Sequence, residues 1–309
     1  MTYVFGPVPS RRLGMSLGVD LIPPKTCTYD CLYCQVGRTT KLMVDPQPFV
    51  PVDKVLAEIK EKLSKTNPDT ITLAGSGEPT LNSEIGQVIS GIKSLTGTRV
   101  ALLTNGSLFK REEIRCRVLE ADIIMPTLTS VYDDTFRMIH RPHPELVVAD
   151  LIDGLKKLRS DFSGQLFLET VFLTGINHSK KELEGLKAAI GEISPDRIQI
   201  NTVVRPPADA RAISLDIKKM EEIMVYLGEK AEIVAVQAHK EGLTENDLLI
   251  DNLLEMIKRR PLKTNDIATA IGVPIKDVEE LVKRLLIKGQ IREQQHSGNV
   301  YYLSNKNIC

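Results

Sequence analysis

From Met15 to about Ala238 the chain alternates short apolar runs with helix-period stretches, and this alternation limits the possible folds more than any other feature. The apolar runs are Ser16 to Ile22, Asp69 to Ala74, Arg99 to Thr104, Asp122 to Leu128, Gln165 to Leu173, Arg197 to Val203 and Ala231 to Val236. Between them, apolar residues recur at helical spacing over Val52 to Ser64, Ser83 to Ser94, Glu112 to Glu120, Glu145 to Leu158, Lys180 to Ala189 and Asp216 to Gly228. Strands rich in Val, Ile and Leu, alternating with helices, predict an α/β fold with a parallel sheet covered by helices. About six such units suit a barrel or part of one. Ligands in parallel α/β folds gather at the carboxyl ends of the strands, so the expected site lies in the loops after the apolar runs.

The loop after the first run holds Cys27, Cys31 and Cys34 in a C-x-x-x-C-x-x-C spacing. Three thiolates on so short a loop reach one metal cluster and supply no fourth ligand, so a cubane iron-sulfur cluster held there keeps one iron open for chemistry. A structural zinc ion needs closure from distant chain, since the next cysteine is Cys116 and the next histidine is His140. A redox dithiol at Cys31 and Cys34 fits its own spacing but leaves Cys27 without a role.

At 309 residues the chain is long enough for a large domain and a small one. A hydrophobic content of 42% with 26% charged residues is that of a soluble globular protein, and no apolar run reaches membrane-spanning length. Five cysteines, three of them clustered, argue against a disulfide framework and for a reducing compartment. The start, Met1 to Pro7, has neither the basic residues nor the apolar core of a signal peptide, and the expectation is a cytoplasmic protein. Cys116, in an amphipathic stretch, is expected in the core, and Cys309 at the chain end is expected to have no role. A net charge of zero gives no global field toward nucleic acid.

After Val236 the sequence turns polar, and 241–250 reads as a linker between a domain over 1–240 and another over 251–309. Helical periodicity returns at Asp251 to Arg260, Thr264 to Gly272 and Ile275 to Lys288, and two strand-like runs then flank His296-Ser297-Gly298-Asn299 as a hairpin. Three helices followed by a hairpin resemble a small C-terminal winged helix-turn-helix domain. Its long helix carries Lys276, Lys283, Arg284 and Lys288, yet Asp277, Glu279 and Glu280 share the element, so a protein-binding or packing role is favoured over DNA binding.

Other polar groups fall where a strand should end. Gly75-Ser76-Gly77-Glu78-Pro79-Thr80 follows the second run, and its glycines let backbone approach a ligand beside a carboxylate; an ordinary strand-helix turn is the alternative. Asn105 ends the third run and Ser130 follows the fourth, where amide and hydroxyl suit a ribose or carboxylate. Glu169, Gln199 and Asn201 interrupt apolar strands, where unpaired polar groups are costly, so they predict a polar lumen that binds ligand or is bonded across itself. Arg11 and Arg12, His140 and Arg141, and Arg205 are expected to meet at one mouth. Arg12, Arg141, Asn201 and Arg205 are the substrate-pocket candidates, for an anionic or polar substrate, with solvated surface charge as the alternative.

The cysteine spacing with Tyr33 before the last cysteine resembles the cluster motif of the radical S-adenosylmethionine (SAM) superfamily, over roughly residues 15–240. The resemblance implies a partial (βα)6 barrel in which Cys27, Cys31 and Cys34 hold a [4Fe-4S] cluster. Its open iron binds the amino and carboxylate groups of SAM, and one electron, from a donor such as ferredoxin or flavodoxin, yields methionine and a 5'-deoxyadenosyl radical. Gly75, Ser76, Gly77 and Glu78 match the superfamily's Gly-Gly-Glu element at the SAM amino group, with Ser76 departing from a second glycine. Asn105, Ser130 and Glu169 are the further cofactor-binding candidates. The segments Phe5 to Arg12 and Asn201 to Pro207 resemble a subgroup related to the tRNA wyosine-base synthases, although the chain lacks the second cysteine triad those synthases use. The implied substrate is a peptide or protein, an RNA or a metabolite. The alternative is an iron-sulfur redox-sensing regulator that binds DNA, against which the barrel-length alternation counts.

Overall fold

The computed structural model describes residues 2–234, 253–254, 256–271 and 273–305. Its first strands are β1 (Val4–Ser10), β2 (Gly14–Val19) and the short pair β3 (Thr26–Cys27) and β4 (Lys41–Leu42). There follow β5 (Thr70–Leu73), β6 (Arg99–Thr104), β7 (Ile123–Pro126), β8 (Gln165–Phe172), β9 (Arg197–Thr202) and β10 (Ala231–Ile233). One eight-stranded sheet has the order β1-β2-β5-β6-β7-β8-β9-β10; β1 is antiparallel to β2, and every later pairing is parallel. The seven expected apolar runs contain its parallel strands, with β6 matching its run, β2 starting two residues earlier at Gly14, and residues 235–236 of the last run lying outside the described residues.

β1 was not among the expected strands. Pro7 and Pro9 interrupt it, and a residue without an N–H reads against a strand interior. The chain solves this at an edge: among the described residues β1 pairs on one side only, with a register shift between Phe5 and Val8.

The helices are α1 (Val52–Leu63), α2 (Ile85–Leu95), α3 (Glu112–Cys116), α4 (Asp133–His140), α5 (Val148–Asp161), α6 (Lys180–Ile193) and α7 (Ile217–Leu227). They pack on the face of the sheet that carries Leu17, Ile71, Leu102, Ile124, Leu168 and Ile200. α2 illustrates the logic: Ile85, Val88, Ile89 and Ile92 fall on one stripe and are all fully buried. Each such side chain contributes about 1.5–3 kcal/mol. The opposite face is apolar at one end, with Leu13, Ala101, Ile123, Met125 and Phe167 clustered, and polar toward the strands' carboxyl ends, at Glu169 and Asn201.

α3 corrects one expectation. Ile114 and Val118, four apart, are buried, which turns Cys116 to the other side of the chain, where it is exposed. The buried polar neighbour is Arg115, whose Nε meets Asp161 at 2.6 Å and whose Nη1 donates to the Phe109 carbonyl at 2.9 Å.

At the C-terminus, residues 253–254 and 256–259 are helical and are followed by α8 (Thr264–Ile271), α9 (Ile275–Ile287) and the antiparallel pair β11 (Ile291–His296) and β12 (Asn299–Ser304). Ser297 and Gly298 join the two strands with φ of 48° and 72°, the signature of a tight hairpin turn. These elements share a core of their own, including Leu253, Ile257, Ile267, Val278 and Leu285, to which β1 lends Val8. The expected linker over 241–250, the start of the helix at Asp251 and Cys309 lie outside the described residues. Among the described residues no helix is long and apolar enough to cross a membrane.

Candidate functional site

The cysteine loop leaves the carboxyl end of β2 and is clamped from three sides. The Asp30 and Leu32 amides donate to the His140 and Ile139 carbonyls at the end of α4, both at 2.9 Å. Arg141, in the left-handed region at φ 42°, donates through Nε to the Asp30 carbonyl at 2.7 Å and pairs with Asp209 at 3.2 Å. After β6, Asn105 Nδ2 donates to Thr28 Oγ1 at 2.7 Å and lies 3.7 Å from Cys27 Sγ. The end of α4 brings in a close contact that spacing alone does not reveal: His140 Nδ1 stands 3.1 Å from Cys31 Sγ, while its Nε2 stands 2.7 Å from Thr129 Oγ1. Burial lowers the His140 pKa to about 3, so the ring is neutral, with one nitrogen donating and the other accepting.

Cys27, Cys31 and Cys34 are each half-buried. Burial, then the Glu78 charge, pushes the Cys27 thiol up to about 12. Burial raises Cys31 as well, followed by the charges of Cys27 and Cys34, and burial also raises Cys34. Without a cation the three therefore stay thiols near neutral pH, and binding one releases protons. Among the described residues no three His, Cys, Asp or Glu side chains are gathered as ligands of a single metal ion.

The Gly75–Glu78 turn sits beside this loop. A Cβ on Gly77 would lie 1.8 Å from the Thr26 carbonyl oxygen, so only glycine allows the approach. Ser76 takes its hydroxyl to Asp20 Oδ2 at 2.6 Å, a use that a glycine there would not permit. Asp20, a buried carboxylate missed in the sequence, holds the turn from below; its only signal was an acidic residue at the end of an apolar strand. Glu78 is turned inward. Its oxygens accept from Thr80 N and Oγ1, from Thr104 Oγ1 and from Asn105 N, over 2.6–3.1 Å. The carboxylate thus ties the turn after β5 to the end of β6.

The remaining candidates separate. Ser130 is fully buried and its hydroxyl donates to Glu182 at 2.7 Å, so it is engaged within the protein. Glu169 accepts from Arg12 Nη1 at 2.6 Å and from Asn201 Nδ2 at 3.1 Å. Arg205, after β9, reaches Gln35 Oε1 at 3.3 Å, the Pro261 carbonyl at 3.1 Å and Asp266 at 3.7 Å. Of the basic residues expected at one mouth, Arg12 and Arg205 take different partners from Arg141. The Arg11–Arg12 turn precedes β2 and so lies at the amino end of that strand; Arg12 reaches along the sheet to Glu169, while Arg141 stays with the cysteine loop.

The family described as the radical SAM superfamily matches residues 21–186. The chain belongs to this superfamily. It is a radical SAM enzyme whose cofactors are a [4Fe-4S] cluster and SAM. It is similar to a UPF0026 protein of Helicobacter pylori, 31% identical over 85% of this chain and 86% of that one. It is also similar to a UPF0026 protein of Methanocaldococcus jannaschii, 28% identical over 99% and 97%. A protein named GTPase Obg from Brachyspira hyodysenteriae is 36% identical over 98% of this chain, which spans 45% of that protein's length. Among solved structures, a radical SAM methyltransferase from Sphaerobacter thermophilus shares the fold, with a TM-score of 0.54 at 16% identity, covering 71% of this chain and 65% of that one.

Proposed function

We propose that Cys27, Cys31 and Cys34 ligate three irons of the [4Fe-4S] cluster and that SAM occupies the fourth. When bound, the cluster supplies the electron that cleaves SAM reductively, giving a 5'-deoxyadenosyl radical that abstracts hydrogen from the substrate. The observation that carries the reading is one loop with three cysteines and no fourth, held against Asn105 and His140 at the carboxyl end of β2. The donor set fits a cluster better than zinc. A zinc ion draws its sulfurs to about 2.3 Å around one centre, whereas a cubane takes each thiolate at a separate iron. The backbone of Gly75 to Gly77 faces the SAM amino group, and Asn105 and Glu169 are the polar groups left for its ribose and carboxylate. Arg12, Asn201 and Arg205 face the substrate, and Arg141 anchors the cluster loop.

The domains in this reading are the partial barrel over 1–240, the linker over 241–250 and a winged helix over 251–309, supported by the helices followed by a hairpin and by their separate core. Relation to the wyosine-base synthases rests on Phe5 to Arg12 and Asn201 to Pro207, which form β1 with its turn and the end of β9. The electron donor is a small one-electron carrier of the ferredoxin or flavodoxin kind, in a reducing cytoplasm. A DNA-binding redox regulator is not favoured, because Asp277, Glu279 and Glu280 share α9 with Lys276, Lys283 and Arg284. Anaerobic reconstitution should bind about four irons per chain, and SAM with dithionite should yield 5'-deoxyadenosine by mass spectrometry. Iron without 5'-deoxyadenosine would overturn the reading.

A further inference from the structure

Four arginines from three parts of the chain gather around the Arg12–Glu169 and Arg205–Asp266 pairs. Arg11 and Arg12 come from the β1–β2 turn, Arg205 from the end of β9, and Arg260 from the C-terminal elements. Arg205 joins these parts: it bonds Gln35, next to Cys34, and reaches Pro261 and Asp266 across the junction. Two carboxylates face the four guanidiniums. Glu169 is paired with Arg12 at 2.6 Å, and Asp266 stands 3.7 Å from Arg205. Arg11 and Arg260 form no hydrogen bond or ion pair through their side chains among the described residues. Burial, reinforced by the other arginines, lowers the pKa of Arg11 to about 10 and that of Arg260 to about 9.

Enclosing like charges without counter-ions is unfavourable, and it persists where a ligand supplies the missing negative charge. Among the described residues, two positive charges are left over. A phosphate monoester carries about two negative charges near neutral pH and presents three oxygens to guanidinium forks, while a carboxylate brings one charge in one plane. Building on the function proposed above, we infer that Arg11, Arg12, Arg205 and Arg260 bind the phosphoryl group of a phosphorylated substrate. The C-terminal elements then complete the substrate site through Arg260.

The test uses the full-length, cluster-reconstituted protein, with inorganic phosphate and glycerol phosphate as probes in anaerobic calorimetry at low salt. One saturable site per chain is expected. Arg11→Gln and Arg260→Gln should each weaken it about tenfold, the order of one lost charge-assisted bond, while Lys54→Gln on exposed α1 should bind like the parent. Removing a like charge should leave the ligand-free melting temperature equal or higher, and should abolish its rise with phosphate. A lower ligand-free melting temperature would make the arginines structural and overturn the site. So would equal binding by the variants, displacement of phosphate by saturating SAM, or preference for a phosphodiester oligonucleotide without a terminal phosphate. Parent protein that cleaves SAM but binds no phosphate defeats this inference alone; parent that binds phosphate but cleaves no SAM defeats only the proposed function.

Discussion

Two polar regions of the molecule are built on opposite terms. Around the Gly75 turn, Asp20 and Glu78 are carboxylates whose oxygens are met by donors from the protein. Around Arg11 and Arg260, cations outnumber carboxylates among the described residues. The first region holds its shape unaided, which suits a cofactor that must be placed reproducibly. The second is left unbalanced among the described residues, which suits a substrate that comes and goes.

The comparison is broken most directly at the cysteines. Cys31→Ala should reduce bound iron and 5'-deoxyadenosine formation to background, by iron assay and mass spectrometry, whatever happens at the arginines. Gly77→Ala should cost about 3 kcal/mol in urea unfolding, because backbone rather than a flexible side chain blocks the new methyl. A cost under 1 kcal/mol would mean the turn is not rigid. Arg141→Ala removes the bond to the Asp30 carbonyl and the pairing with Asp209, and should cost about 1–2 kcal/mol and lower iron occupancy.

Two smaller effects sharpen the contrast. His140→Ala deletes a donor to the Cys31 sulfur and should lower the cluster's midpoint potential in an EPR-monitored titration, since a bond to a thiolate favours the more negative, reduced state. An unchanged potential would remove His140 from that role. At Asp20, burial holds the carboxyl above its usual range, outweighing Ser76 and Arg259. The folded chain therefore keeps this proton after the unfolded chain, near about pH 4, has released it. Stability should fall as pH rises through that window, and Asp20→Asn should flatten this part of the curve in denaturant titrations.

Much of this arrangement was legible from residues alone. The parallel strands and most helices follow from periodicity because their apolar stripes are long, and the C-terminal hairpin follows from Ser297-Gly298. β1 was hidden by its prolines, which an edge position tolerates. α4 was hidden because Arg141-Pro142 reads as a loop, although a left-handed Arg141 lets the helix run to His140. Placing Cys116 in the core failed for a rotational reason, since the buried apolar positions of that stretch, Ile114 and Val118, are two residues away on either side. The inward turn of Glu78 and the meeting of Arg11 with Arg260 depend on contacts between distant segments, which spacing does not encode.

Among the described residues β1 pairs with β2 alone, while Val8 joins the core of the C-terminal elements and Phe5 packs against it. An edge strand stripped of such cover is a template for pairing with other chains. Shortening the protein before residue 251 would thus unmask an adhesive surface as well as remove Arg260, and self-association would accompany any attempt to study the barrel by itself.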